Sequence, residues 1–166
     1  MIVGIDPGIV GAACVLSRNR KVVYLDFLAT TLLKNGKNEL DIPTIYACLQ
    51  VPICFTASQD PCSVIGVIEK VGATPQMGVT SSFRFGEAYG SLKTMLELNC
   101  SYTRTVSSQK WKKHFNLTKD KEAARHLAIK LYPEQAQNLK RKKDKDKAEA
   151  LLIATYMLER LEHERD

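Results

Sequence analysis

Two short apolar runs, each ending in a carboxylate, constrain this chain more than any other feature. Ile2-Val3-Gly4-Ile5 stops at Asp6-Pro7-Gly8, and Ser63-Val64-Ile65-Gly66-Val67-Ile68 stops at Glu69. β-Branched residues favour the pleat, Pro-Gly cannot continue it, and an unbroken apolar run is the pattern of a strand covered on both faces. Both runs read as buried strands that deliver an acid to a strand end. A carboxylate there is costly to desolvate and calls for a hydrogen-bond donor or a metal ion. The ordinary alternative for Asp6 is a cap on the following turn.

Residues 11–16 and 21–28 read as two further strands, joined by Ser17-Arg18-Asn19-Arg20 into an antiparallel meander with the first. Residues 29–41 are polar and irregular, 42–51 read as a short helix and 52–61 as loop. Beyond Glu69, 72–81 has loop composition, and 82–98 has helical spacing with Phe83, Ala88, Leu92, Met95 and Leu96 as its buried side. A strand at 101–106 leads into a serine-capped helix at 107–115. A longer helix at 119–132 is stopped by Pro133. The final helix follows the basic run 140–147 and reaches about residue 162.

With 166 residues, 45% hydrophobic and 25% charged, the expectation is a single domain spanning 1–166. The longest uncharged stretch, 42–59, is broken by Pro43 and Pro52, which excludes a membrane span there. The N-terminus has no basic leader, so the expected location is cytoplasmic or nucleoid-associated, an organelle matrix or a viral replication site, and not secretion. Cys14, Cys48, Cys54, Cys62 and Cys100 form no Cys-x-x-Cys pair and read as buried free thiols in a reducing compartment.

Charge is regional. Residues 104–147 hold fourteen Lys or Arg against five Asp or Glu, leaving the remainder with ten basic against thirteen acidic residues. A basic segment on a mildly acidic domain suits a phosphate backbone, the alternative being a solvated face.

In the final helix Asp146 and Glu149 are three residues apart and share a face that continues through Ala150, Ile153 and Met157. If that stripe packs on the sheet, the two acids sit near the strand ends that carry Asp6 and Glu69. Four converging acids suit hard cations such as Mg²⁺ or Mn²⁺, and paired ions roughly 3.5 to 4 Å apart promote phosphodiester hydrolysis. Each acid also has an ordinary role: Asp146 as a helix-dipole charge, Glu69 paired with Lys70, Glu149 solvated.

Gly4-Ile5-Asp6-Pro7-Gly8, Val67-Ile68-Glu69 and Asp146-Lys147-Ala148-Glu149-Ala150-Leu151-Leu152-Ile153-Ala154 resemble, in that order, the acidic motifs of the RuvC family of Holliday junction resolvases. Gln76-x-Gly78-Val79-Thr80-Ser81-Ser82-Phe83-x-Phe85-Gly86 and Ser108-Gln109-x-Trp111-Lys112 also resemble the phage and chloroplast group of that family. The resemblance implies an α/β, ribonuclease H-like fold with a five-stranded mixed sheet flanked by helices, and a homodimer that nicks two strands of four-way junction DNA. It implies Asp6, Glu69, Asp146 and Glu149 as catalytic metal ligands for two Mg²⁺ per site, with Mn²⁺ able to substitute. The fourth position is often Asp in the family, and the longer Glu149 arm can shift the ion. Lys112 and Lys121 resemble lysines that face DNA, with Lys110 and Lys113 as neighbouring DNA-binding candidates; each can equally be a solvated lysine. Asp144 falls on a different side of the helix from Asp146.

Other residues keep two readings. His114, His126 and His163 read as surface or structural rather than as a base. Trp111 either stacks on a base or anchors its helix in the core. The loop 71–82 can probe a junction centre with Met77, Phe83 or Phe85, plain packing being the alternative for the phenylalanines. Gly86 and Gly90 suit a dimer interface or packing on the sheet. The functions competing with junction resolution are a ribonuclease H-like nuclease on RNA–DNA hybrids or branched DNA, and a non-catalytic nucleic-acid-binding module.

Overall fold

The computed structural model describes residues 1–56, 64–117 and 122–164, and of 55 and 56 the backbone alone. Strands β1 (Ile2–Asp6), β2 (Ala12–Leu16) and β3 (Val22–Phe27) form the expected meander. A small hairpin of β4 (Thr30–Leu32) and β5 (Asn38–Leu40) follows, where the sequence suggested irregular chain. Helix α1 covers Ile42–Thr56 and runs through Pro52, five residues past the expected end. Then come β6 (Ile65–Lys70), α2 (Val79–Asn99), β7 (Tyr102–Ser107), α3 (Ser108–His114), α4 (Ala123–Leu131) and α5 (Lys145–His163).

The main sheet has the order β3-β2-β1-β6-β7, antiparallel across β3, β2 and β1 and parallel across β1, β6 and β7. Alternation along each strand splits the core into two layers. Ile2, Cys14, Leu16, Val67 and Val106 face α3, α4 and α5, whereas Val3, Ile5, Val15 and Ile68 face α1 and α2. The central strands are apolar on both faces because helices cover both.

Gly4 permits a close contact between α5 and the sheet. A Cβ there would stand 2.6 Å from the Ala150 carbonyl oxygen, so α5 crosses β1 backbone against side chain-free backbone. Ala148, Ala150, Leu151, Ile153, Ala154 and Met157 of α5 are all buried. Several expectations fail on α2 and the cysteines. Phe83 is 68% exposed rather than buried, because the helix starts at Val79 and its buried side begins only at Ala88. Gly86 and Gly90 face open space, which excludes packing on the sheet. Cys14 is buried, but Cys54 is exposed; Cys62 lies outside the described residues. No described helix is long and apolar enough to cross a membrane.

Candidate active site

Parallel pairing brings the strand-end acids together. The β1–β6 register runs from Ile2↔Ile65 to Ile5↔Ile68, so Asp6 and Glu69 occupy the next step on adjacent strands. By alternation both point to the α5 side, with Gly4 and Val67. Beyond Asp6 the chain turns tightly: Gly11 N–H donates to the Gly8 carbonyl at 3.0 Å. A Cβ on Gly11 would meet the Asp6 carbonyl at 2.2 Å, so this turn requires glycine.

The close approach of α5 at Gly4 places the helix's first turns over the ends of β1 and β6. Ligand oxygens of Asp6, Asp146 and Glu149 then all lie within 4.8 Å of one another. Glu69 is outside that set, yet close enough to act electrostatically on Asp6. Burial, then the charges of Glu149, Glu69 and Asp146, push the Asp6 carboxyl from 3.8 up to about 8, with Lys112 opposing. Burial also raises Glu69, opposed by a hydrogen bond from Trp111, and raises Asp146, opposed by Lys145. Acids held together against their own repulsion are incompletely compensated, which is the electrostatic condition for holding a cation. Three carboxylate oxygens on separate chain positions form a hard donor set that fits Mg²⁺ or Mn²⁺.

Helix α3 completes the site from β7. Glu69 and Lys70 pair with Val106 and Ser107, and the Ser107 hydroxyl caps α3 at the Lys110 N–H. One turn later, the fully buried Trp111 directs its indole N–H to Glu69 Oε2 at 2.6 Å. Lys112 Nζ reaches Glu149 Oε1 at 2.9 Å and lies over the Trp111 ring. The sequence reading offers the core or a base for Trp111 and DNA or solvent for Lys112, and contains neither contact. The only signal available was their position after a strand pairing with the Glu69 strand, and helix phase cannot be read without the register.

Lys110 and Lys113 are exposed on α3, and Lys121 lies outside the described residues. Asp144 is fully buried away from the acid cluster. It accepts from Arg141 through Nη2 at 2.9 Å and from the Arg141 backbone, and Lys147 stands at 3.6 Å. Lys147 also donates to Asn138, which in turn holds the Leu25 carbonyl. His114 pairs with Glu159 at 2.6 Å and packs edge-on against Phe115 and Tyr156, a structural role distant from the acids in sequence and contact. His126 is exposed.

No protein-family model matches the chain, and no curated protein matches it by sequence. Solved structures do match. A structure of Thermus thermophilus RuvC in complex with a Holliday junction substrate aligns with a TM-score of 0.59 and 15% identity, over 93% of this chain and 90% of that one. A second Thermus thermophilus RuvC structure aligns with a TM-score of 0.56 and 13% identity, over 98% and 96% of the two chains. The strand order, the mixed pairing and the helices on both faces agree with these similarities: the chain has the ribonuclease H-like fold of RuvC.

Proposed function

We propose that this chain is a metal-dependent, structure-selective endonuclease that resolves four-way DNA junctions by paired, symmetric nicks. The observation that carries the reading is the meeting of Asp6, Asp146 and Glu149 within 4.8 Å beside Glu69. Desolvating and crowding acids is unfavourable, and a protein that only bound nucleic acid would gain nothing from it. The fold shared with a RuvC solved on a Holliday junction substrate supports four-way junction DNA as the substrate class.

Asp6, Asp146 and Glu149, with Glu69 alongside, are the candidate ligands for two Mg²⁺, for which Mn²⁺ would substitute. When bound, such ions supply water activation and charge neutralisation at the departing oxygen. The chain's own residues position them. Asp6 is fixed by the β1 register and the Gly11 turn, Asp146 and Glu149 by the α5 crossing at Gly4, and Glu69 by Trp111. Lys110, Lys112 and Lys113 on α3 would meet phosphates next to the acids, and Lys121 remains a DNA-binding candidate. No described histidine joins the acid cluster.

A homodimer fits a second feature. Val79, Phe83, Gly86, Gly90 and Thr94 line the side of α2 opposite the buried Ala88, Leu92 and Met95, and Val79 and Phe83 are 88% and 68% exposed. A second copy of the same stripe would cover it, with the open glycines allowing close helix approach.

A synthetic four-way junction with Mg²⁺ tests the function. The expected result is paired symmetric nicks that vanish in Asp6→Asn; tight binding without cleavage in Mg²⁺ or Mn²⁺ would sink the reading.

A further inference from the structure

Helix α3 brings a positive charge into the acid cluster itself. Lys112 Nζ lies 2.9 Å from Glu149 Oε1, and its charge also opposes the repulsion felt at Asp6 and Glu69. The ammonium sits 4.9 Å from the centroid of the buried Trp111 ring, which gives it a defined seat. The Lys112 side chain is 34% exposed and that of Glu149 22%, so the lysine can leave this seat without disturbing the core. Glu149 is thus addressed by two cations: an ammonium from the chain and, on the reading above, a divalent ion.

We propose that Lys112 is the internal counter-cation of the site, competing with the metal for Glu149, so that metal binding releases the Lys112 ammonium to the DNA backbone. The inference rests on the assignment of Glu149 to a metal site. On either oxygen of Glu149 a divalent ion would lie close to an ammonium seated 2.9 Å from Oε1 and repel it, so occupancy by the metal weakens the Lys112 pair. The freed ammonium then becomes available to a phosphate, and by linkage metal and DNA favour each other's binding to the same degree. A merely structural lysine would behave in the opposite way, since its loss would loosen Glu149 and weaken the metal.

The test is calorimetric titration of Mn²⁺ alone into metal-free wild type, Lys112→Met and Lys112→Arg, with Lys130→Met on the exposed side of α4 as a charge-matched control. Lys112→Met should bind Mn²⁺ about tenfold more tightly, the scale of an ordinary coupling between sites. Lys112→Arg and Lys130→Met should stay near wild type. Unchanged or weaker Mn²⁺ binding in Lys112→Met, or no Mn²⁺ binding in either protein, would overturn the proposal. A second measurement follows junction affinity with and without Ca²⁺ as a probe ion: wild type gains more affinity than Lys112→Met, whereas equal gains would overturn the release step. The nuclease reading fails separately, if wild type binds Mn²⁺ but leaves the junction uncut.

Discussion

The Trp111 indole N–H donates to Glu69 Oε2 at 2.6 Å from a ring that is itself fully buried. This hydrogen bond favours the ionised carboxylate and opposes the upward push of burial on Glu69. Trp111→Phe keeps most of the apolar volume and removes the donor. Glu69 should then be harder to ionise, and the acidic limb of the pH profile for Mg²⁺-dependent cleavage should move to higher pH. The stability cost should be about 1–3 kcal/mol, as for a buried acceptor left without its partner. A pH–rate profile beside thermal unfolding checks both parts, and an unmoved acidic limb would show that the donor does not tune Glu69.

Asp6 predicts how metal-free stability depends on pH. Its folded-state value of about 8 lies above the ordinary 3.8, so its favourable contribution is complete below about pH 4 and is lost as pH rises toward 8. At pH 8 the metal-free wild type should be less stable than Asp6→Asn, by on the order of a few kcal/mol. Added Mg²⁺ should raise the denaturant midpoint of wild type more than that of Asp6→Asn. Denaturant midpoints at pH 5 and pH 8, with and without Mg²⁺, read out all three comparisons.

Gly4→Ala places a methyl where the Ala150 carbonyl oxygen lies 2.6 Å away and the Ala154 Cβ 2.8 Å. Neither neighbour is the free end of a flexible side chain, so α5 itself must move. The expected cost is about 1–3 kcal/mol, typical of overpacking. Because α5 carries Asp146 and Glu149, Mn²⁺ affinity should fall as well. Ala88→Ser on the opposite layer, matched for lost stability, should leave Mn²⁺ affinity unchanged; calorimetry on the pair separates displacement of α5 from general destabilisation.

Asp144 holds the entry to α5. Arg141 keeps its carboxyl down at about 2, below the ordinary 3.8. Its contribution to stability is therefore present above about pH 4 and lost as pH falls toward 2. Asp144→Ala leaves the buried Lys147 ammonium with Asn138 but without its carboxylate partner, and should cost about 3 kcal/mol, the lower end for a broken buried ion pair. The acid limb of the unfolding curve should flatten in this variant, which equilibrium denaturation between pH 2 and pH 6 will register.

The strands were legible because their signals are local. The Ile2–Ile5 and Val64–Ile68 runs read as doubly covered strands, and the Ser17–Arg20 link as the turn of a meander, from residue type and order alone. The β4–β5 hairpin was not legible, since Thr30–Leu32 is exposed and carries no burial pattern to reveal it. The extent of α1 was also misread, because a proline ordinarily ends a helix, whereas this one runs through Pro52 and packs on the sheet through Ile45, Leu49 and Ile53.

By itself, the sequence determined the strands that carry Asp6 and Glu69 and the shared face of Asp146 and Glu149, because period 2 and period 3.6 are written into residue order. Only the tertiary structure decided which of these acids meet. Parallel register set Asp6 beside Glu69, and the glycine contact under Ala150 set the height of α5. The phase of α3 turned Trp111 toward Glu69 and Lys112 toward Glu149. Register, crossing height and helix phase are relations between segments far apart in the chain, and no local pattern encodes them.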